Sequence, residues 1–226
     1  MNNYHLLLET ATTNCSVAIA KNGELLFCKE SNEANFRHSD YLHVFIEEVM
    51  AEGGLSFSAL SALGVSMGPG SYTGLRIGVS SAKGICYAND LPLIAVNTLE
   101  VLAQAYAPKE NEVIVPMIDA RRMEVFTTAL NAQHEIIQPT SARIISEETS
   151  ATLPKGIKVL FGSGAAKCKP ILTGNEFHYI DEIEVPSARN MVSMVAKKYA
   201  NKQFEDVAYF EPYYLKDFHT NAPKVK

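Results

Sequence analysis

The sequence predicts an α/β fold of two similar lobes, and three observations carry that prediction. Short strand-like runs joined by a hairpin signal open the chain, and helix-like and strand-like stretches then alternate. The same succession begins again at Val113. A length of 226 residues with 47% hydrophobic residues is enough for one large domain or two smaller ones with substantial cores.

Tyr4 to Leu8 is the first apolar run, and it closes on Glu9-Thr10-Ala11-Thr12. Cys15 to Ala20 and Glu24 to Phe27 follow, joined by Asn22-Gly23, a pair that tolerates the positive φ of a tight hairpin. Ser39 is placed to cap a helix in which Leu42, Phe45, Ile46, Val49 and Met50 keep the spacing of one buried stripe. Ala62 to Val65 reads as a strand, followed by a glycine-rich loop and a helical run to Ala88. Leu93 to Val96 and Thr98 to Tyr106 complete this half as strand and helix.

The polar stretch Ala107-Pro108-Lys109-Glu110-Asn111 marks a boundary. It gives a first lobe over 1–106 and a smaller second lobe over 107–226, whose last helix and tail can return to the first. Val113 to Ile118, a turn at Asp119-Ala120-Arg121-Arg122 and Glu124 to Leu130 repeat the opening hairpin. Ile157 to Phe161 is a strand running into Gly162-Ser163-Gly164, and Ser187 to Tyr199 a helix with Met191, Met194 and Val195 on one face. Duplicated mixed-sheet halves of this kind are the architecture of the actin, sugar-kinase and Hsp70-like (ASKHA) superfamily.

The formal net charge of −5 argues against tight unaided binding of nucleic acid, which draws on Lys and Arg at phosphates. None of Cys15, Cys28, Cys86 and Cys168 forms a Cys-x-x-Cys pair, so a reduced, cytoplasmic setting is expected. No basic segment with an apolar signal core opens the chain, and no apolar run approaches the ~18 residues of a membrane span.

The loop Gly68-Pro69-Gly70-Ser71-Tyr72-Thr73 has two readings. Ser71 or Thr73 can cap the helix that follows, inside which Gly74, Gly78 and Ala82 leave one face almost bare. Mid-helix glycine costs about 1 kcal/mol relative to alanine, so two of them imply a compensating use. Either a phosphate meets the amides at the helix start, or another helix packs against the bare face. The loop lacks the Gly-Lys-Ser/Thr ending of a P-loop and the spacing of a dinucleotide fingerprint. Gly70-Ser71-Tyr72-Thr73-Gly74 has one residue too many for a nucleophile elbow. His38 and His43 stand five apart, on different helical faces, so no metal site is expected.

Gly68-Pro69-Gly70-Ser71-Tyr72-Thr73-Gly74-Leu75-Arg76, with Ala82-Lys83-Gly84 downstream, resembles the bacterial TsaB (YeaZ) family. Leu8-Glu9-Thr10-Ala11-Thr12, Arg37-His38-Ser39-Asp40-Tyr41-Leu42, Ile118 to Val125 and the terminal Glu211-Pro212-Tyr213-Tyr214-Leu215 are similar too. The matches are dense up to residue 125 and sparse beyond it. The resemblance implies a subunit of the machinery that makes threonylcarbamoyladenosine beside the anticodon of ANN-decoding tRNAs. In that machinery TsaB-like chains support the TsaD transferase together with the ATPase TsaE. They pair with TsaD, or with themselves, through the first two helices.

TsaD-like chains carry Val-Asn-His-x-Glu-x-His after the glycine loop, with both histidines on a metal. Here the run is Val96-Asn97-Thr98-Leu99-Glu100-Val101-Leu102, so Thr98 and Leu102 replace the histidines. A leucine cannot ligate a metal, and the resemblance therefore implies a non-catalytic subunit. No cofactor is expected for this chain itself; ATP or ADP is expected at the level of the complex, and tRNA is reached through it.

The expected partner or dimer contacts are His38, Tyr41, Leu42, Phe45, Tyr72, Gly74, Leu75, Arg76, Gly78 and Ala82. Candidate contacts to a nucleotide or to tRNA are Glu9, Thr10, Gly68, Gly70, Ser71, Thr73, Asp119, Arg121 and Arg122. Glu9 stands where the superfamily commonly has Asp, which weakens the nucleotide reading. The rival function is a small nucleotide-binding phosphotransferase or hydrolase of the same fold that uses the Gly68–Thr73 loop.

Overall fold

The computed structural model describes residues 2–33 and 37–216. Strands β1 (Tyr4–Glu9), β2 (Asn14–Lys21) and β3 (Glu24–Asn32) form the opening antiparallel meander. Asn22 and Gly23 take φ of 54° and 84° at its tight turn, the conformation that an Asn-Gly pair supplies. Strands β4 (Leu60–Gly68) and β5 (Leu93–Asn97) add in parallel beside β1, giving the order β3-β2-β1-β4-β5.

The second sheet repeats the first element for element. Strands β6 (Glu112–Asp119), β7 (Glu124–Leu130) and β8 (Ile136–Ile144) form its meander. Strands β9 (Ile157–Phe161) and β10 (Phe177–Ile180) run parallel to β6, and the order is β10-β9-β6-β7-β8. The predicted duplication of mixed sheets is therefore present.

Helices α1 (His38–Glu52) and α2 (Tyr72–Asn89) cover one face of the first sheet. There Leu42, Ile46, Val49, Val79 and Cys86 pack with Leu6, Leu8, Val17 and Ile19. The cap position of α1 is Arg37, without a side-chain bond, so Ser39 lies inside the first turn rather than capping it. Ser71 caps α2, accepting from the Gly74 amide.

The lobes exchange elements. Helix α3 (Thr98–Ala103) follows β5 yet buries Leu99, Leu102 and Ala103 among Ile114, Phe126, Val159 and Phe161 of the second sheet. After the four-residue helix α4 (Thr149–Thr152), the chain returns through a 3-10 turn at Ala188–Met191 into α5 (Val192–Ala200). Met191, Val192 and Val195 then cover the other face of the first sheet against Leu7, Ala18, Ile94 and Val96. The helix expected over Ser187 to Tyr199 is thus split, because Ser187 caps the 3-10 turn before the α-helix begins.

Beyond α5 a strap, turned once at residues 207–209, continues across the first lobe. Glu205 bridges to Leu93, and the Lys83 ammonium donates to the carbonyls of Ala208 (3.1 Å) and Phe210 (2.9 Å). The Tyr213 amide donates to Met67 O (2.7 Å), Leu215 joins the second-lobe core and Lys216 pairs with Glu124. Among the described residues, no helix is long and apolar enough to cross a membrane.

The bare face of α2 is filled from within the same lobe. A Cβ on Gly74 would lie 2.1 Å from the Thr10 carbonyl oxygen, and one on Gly78 would lie 2.2 Å from Thr10 Oγ1. Thr10 Oγ1 donates to the Gly74 carbonyl at 2.8 Å, which fixes the close approach. Gly84, on the same helix, has nothing within 4 Å.

We expect Gly78→Ala to lower stability by about 1–3 kcal/mol through overpacking. Gly84→Ala should raise it by about 0.5–1 kcal/mol, because only helix propensity changes there. Urea unfolding of the two variants against the parent measures both signs.

Candidate functional site

The β1–β2 turn and the glycine loop after β4 meet at one end of the first sheet. A Cβ on Gly70 would lie 2.3 Å from Ala11 O, so only glycine lets this loop close over the turn. Gly68, at φ +115°, faces Tyr213 O of the strap, 2.6 Å from where its Cβ would be. Three loop amides already have partners in the chain. Gly68 N donates to Thr98 Oγ1 (3.1 Å), Ser71 N to Ala11 O (2.7 Å) and Gly74 N to Ser71 Oγ (3.3 Å). Of the two uses open to the loop, this geometry displays close packing, but against the β1–β2 turn rather than against another helix.

Glu9 is fully buried beneath that junction. Its Oε1 accepts from the Ala11 amide (2.6 Å) and from Ser66 Oγ (2.9 Å). Burial pushes its carboxyl up to about 7, with those hydrogen bonds pulling the other way. Desolvation, helped by the nearby Glu9 carboxylate, likewise pushes the Cys15 thiol up to about 12. Thr10 is buried beside Glu9, whereas Thr73 is exposed at the start of α2.

The second lobe repeats the junction. Gly162, at φ +100°, would place a Cβ 2.3 Å from Met117 O, and Gly164 N donates to that same oxygen at 3.0 Å. Ser163 Oγ accepts from the Asp119 amide at 3.2 Å. The Lys167 ammonium pairs with Asp119 and donates to the carbonyls of Arg122 (2.8 Å) and Glu124 (2.7 Å). Arg121 and Arg122 are exposed at the tip of this β6–β7 turn.

The expected partner contacts divide into two groups. His38, Leu42, Gly74, Leu75, Gly78 and Ala82 are buried inside the first lobe. This departs from the expectation that the small-residue face meets a partner helix. The glycines seat the β1–β2 turn, His38 Nε2 bonds Thr12 O at 2.7 Å, and Leu42, Leu75 and Ala82 are fully covered by the core.

Tyr41, Phe45, Tyr72 and Arg76 keep part of their surface outside. The Tyr41 and Phe45 rings stack at 5.4 Å, with the Arg37 guanidinium 5.0 Å over Tyr41. The Arg76 guanidinium lies 4.1 Å over the Tyr72 ring, and the Tyr214 ring lies 4.9 Å from that of Tyr72. Tyr214 OH sits 3.4 Å from Arg76 Nε. Tyr214, a member of the cluster that sequence reasoning missed, comes from the strap, and only the terminal aromatic motif hinted at it. Val44 and Tyr87 are exposed elsewhere on α1 and α2.

Thr98 and Leu102 both have structural surroundings. Thr98 is buried and braces the glycine loop through Gly68, while Leu102 is buried in the second-lobe core against Gly162.

The profile of the TsaD family, tRNA N6-adenosine threonylcarbamoyltransferase, matches residues 32–223. The tRNA threonylcarbamoyladenosine biosynthesis protein TsaB of Haemophilus influenzae is 30% identical, over 94% of this chain and 93% of that protein. A tRNA N6-adenosine threonylcarbamoyltransferase of Streptococcus sanguinis is 28% identical over 64% of this chain and 48% of its own length. The solved structure of YeaZ from Pseudomonas aeruginosa superposes with a TM-score of 0.79 at 26% identity, covering 94% of this chain and all of that one.

The pH dependence of stability should carry a contribution from Glu9 with a definite sign. Its folded value lies above its ordinary one, so its stabilising effect is complete in acid and is lost as pH rises through about 7. Comparison with Glu9→Gln isolates it: the stability difference, parent minus variant, should fall between pH 5 and pH 8. Thermal melts across that range measure the slope.

Proposed function

We propose that this chain, which belongs to the TsaB (YeaZ) family of tRNA threonylcarbamoyladenosine biosynthesis proteins, is a non-catalytic subunit that supports a TsaD-type transferase. With a TsaE-type ATPase, the assembly would add threonylcarbamoyl to the adenosine beside the anticodon of ANN-decoding tRNAs. The observation that carries this reading is the fate of positions 98 and 102. The resemblance puts two metal-binding histidines there in TsaD-like chains, on successive turns of one helix; this chain has a hydroxyl bonded to the glycine loop and a leucine sealed in the core.

The support is structural or allosteric, delivered through the outer face of α1 and α2 together with the strap. Tyr41, Phe45, Tyr72, Arg76 and Tyr214 form the contact, with aromatic and arginine side chains of the kind that anchor interfaces. His38, Leu42, Gly74, Leu75, Gly78 and Ala82 are the buried floor that holds those side chains in place. The same face would pair two copies of this chain when no transferase subunit is present.

A nucleotide belongs to the assembled complex in this reading. Gly68, Ser71 and Gly74 have committed their amides to other groups of this chain, and Glu9, Thr10 and Gly70 lie in the packed junction. The working cell compartment is the cytoplasm, where tRNA is modified.

Replacing Tyr72 and Arg76 together by alanine should weaken association with the transferase subunit about 10–100-fold, as loss of a hot-spot pair does. At concentrations where the chain alone is monomeric, its melting temperature should stay nearly unchanged. Titration calorimetry with purified transferase subunit checks this, and unaltered affinity would place the contact elsewhere.

A further inference from the structure

We infer that the β6–β7 turn is an anion contact whose two arginines take neighbouring phosphodiesters of an RNA backbone. This inference rests on the reading that the chain works in a tRNA-modifying complex, and it gives that complex an RNA-touching element on this subunit.

The arginines of the chain separate sharply by partner. Arg37 is bonded to Asp40 at 2.9 Å, Arg143 to Thr152 at 3.1 Å and Arg189 to Glu30 at 2.6 Å, and Arg76 lies on Tyr72 and Tyr214. Arg121 and Arg122 are exposed, and among the described residues their guanidinium groups have no hydrogen-bond or ion-pair partner.

Two acids flank them closely enough in sequence to neutralise them, and both are already engaged. Asp119 is held by Lys167 and also accepts from the Arg121 amide at 2.8 Å, while Glu124 is held by Lys216 of the strap. Counting Asp119 and Glu124 against Lys167 and Lys216 leaves the turn with the two positive charges of Arg121 and Arg122. That surplus stands out on a chain whose formal net charge is −5.

The turn is also built to hold its shape. Arg121 and Arg122 take φ of +69° and +48°, a left-handed conformation that non-glycine residues adopt at a cost. Lys167 fastens it from behind by bonding the Arg122 and Glu124 carbonyls. Two free guanidinium forks on a fixed turn suit phosphate oxygens, which they bind in bidentate fashion. Exposed Met123 and Ile144 sit beside the turn, joined through the Ile145 amide to Met123 O at 2.8 Å, and offer apolar footing for ribose.

The test is titration of a tRNA transcript with the complex of this chain and the transferase subunit, read by fluorescence anisotropy from 50 to 200 mM KCl. Arg121→Gln/Arg122→Gln should weaken binding about tenfold and reduce the slope of log K against log salt by about 1.4–1.8, as two lost phosphate contacts would. Arg121→Lys/Arg122→Lys should keep most of the slope, since the charges remain. Unchanged affinity and slope for the glutamine variant, in a complex of unchanged composition, would overturn the inference. Loss of the transferase subunit from that variant with tRNA affinity intact would also overturn it, and would assign the turn to an acidic protein surface. If the parent chain fails to co-elute with the transferase subunit, the proposed function fails. The same salt titration on the chain alone then decides the turn, an unchanged slope counting against it.

Discussion

Thr10 and Ala11 lie against the backbone of Gly70, Gly74 and Gly78, with no room for a Cβ between them. That contact lets the β1–β2 turn, the glycine loop and the first two turns of α2 share one small volume. It directs the Ser71 amide at Ala11 O, and with Thr98 occupying the Gly68 amide it leaves a loop shaped like an anion cradle filled by its own chain. Glu9 is sealed beneath it, which is why that carboxyl is so far from its ordinary behaviour. Because the inner face of α2 is consumed in this way, only its outer side is left to meet a partner.

A second constraint is the exchange between lobes. Helix α3 departs from the first sheet into the core of the second, and α5 departs from the second half into the core of the first. The strap then crosses the glycine loop at Met67 and Tyr213 and ends on Glu124. Each lobe is completed by apolar side chains that belong, in sequence, to the other. The outer aromatic cluster inherits this arrangement, since Tyr72 and Arg76 come from α2 while Tyr214 comes from the strap.

Much of this was legible in the sequence where the signal is local. Asn22-Gly23 and the apolar runs around it specify the first meander, and of the two cap candidates Ser71 and Thr73 the structure uses Ser71. Strands β8 and β10 carried no such signal: β8 is an edge strand with exposed Ile136, Ile137 and Ile144 and an internal Pro139, so no clean alternation marks it. The bare face of α2 was visible as Gly74, Gly78 and Ala82, but what fills it is a tertiary fact. Thr10 lies 64 residues from Gly74, and nothing periodic links them. The meeting of Arg76 and Tyr214, 138 residues apart, was beyond local reading for the same reason. Glu9, in contrast, stands out by its departure from the superfamily's usual Asp, and its burial gives that departure a consequence.

In its proposed role this chain enables a transfer that it does not perform. The most direct measurement is threonylcarbamoyladenosine formation on tRNA in a reconstituted mixture. That mixture holds transferase and ATPase subunits, L-threonine, bicarbonate, ATP and the threonine-activating enzyme, with this chain present or omitted. Modification should require the chain and should be absent when the chain replaces the transferase subunit. Modification that proceeds equally well without it, or transfer by the chain in the absence of the transferase subunit, would refute the supporting role.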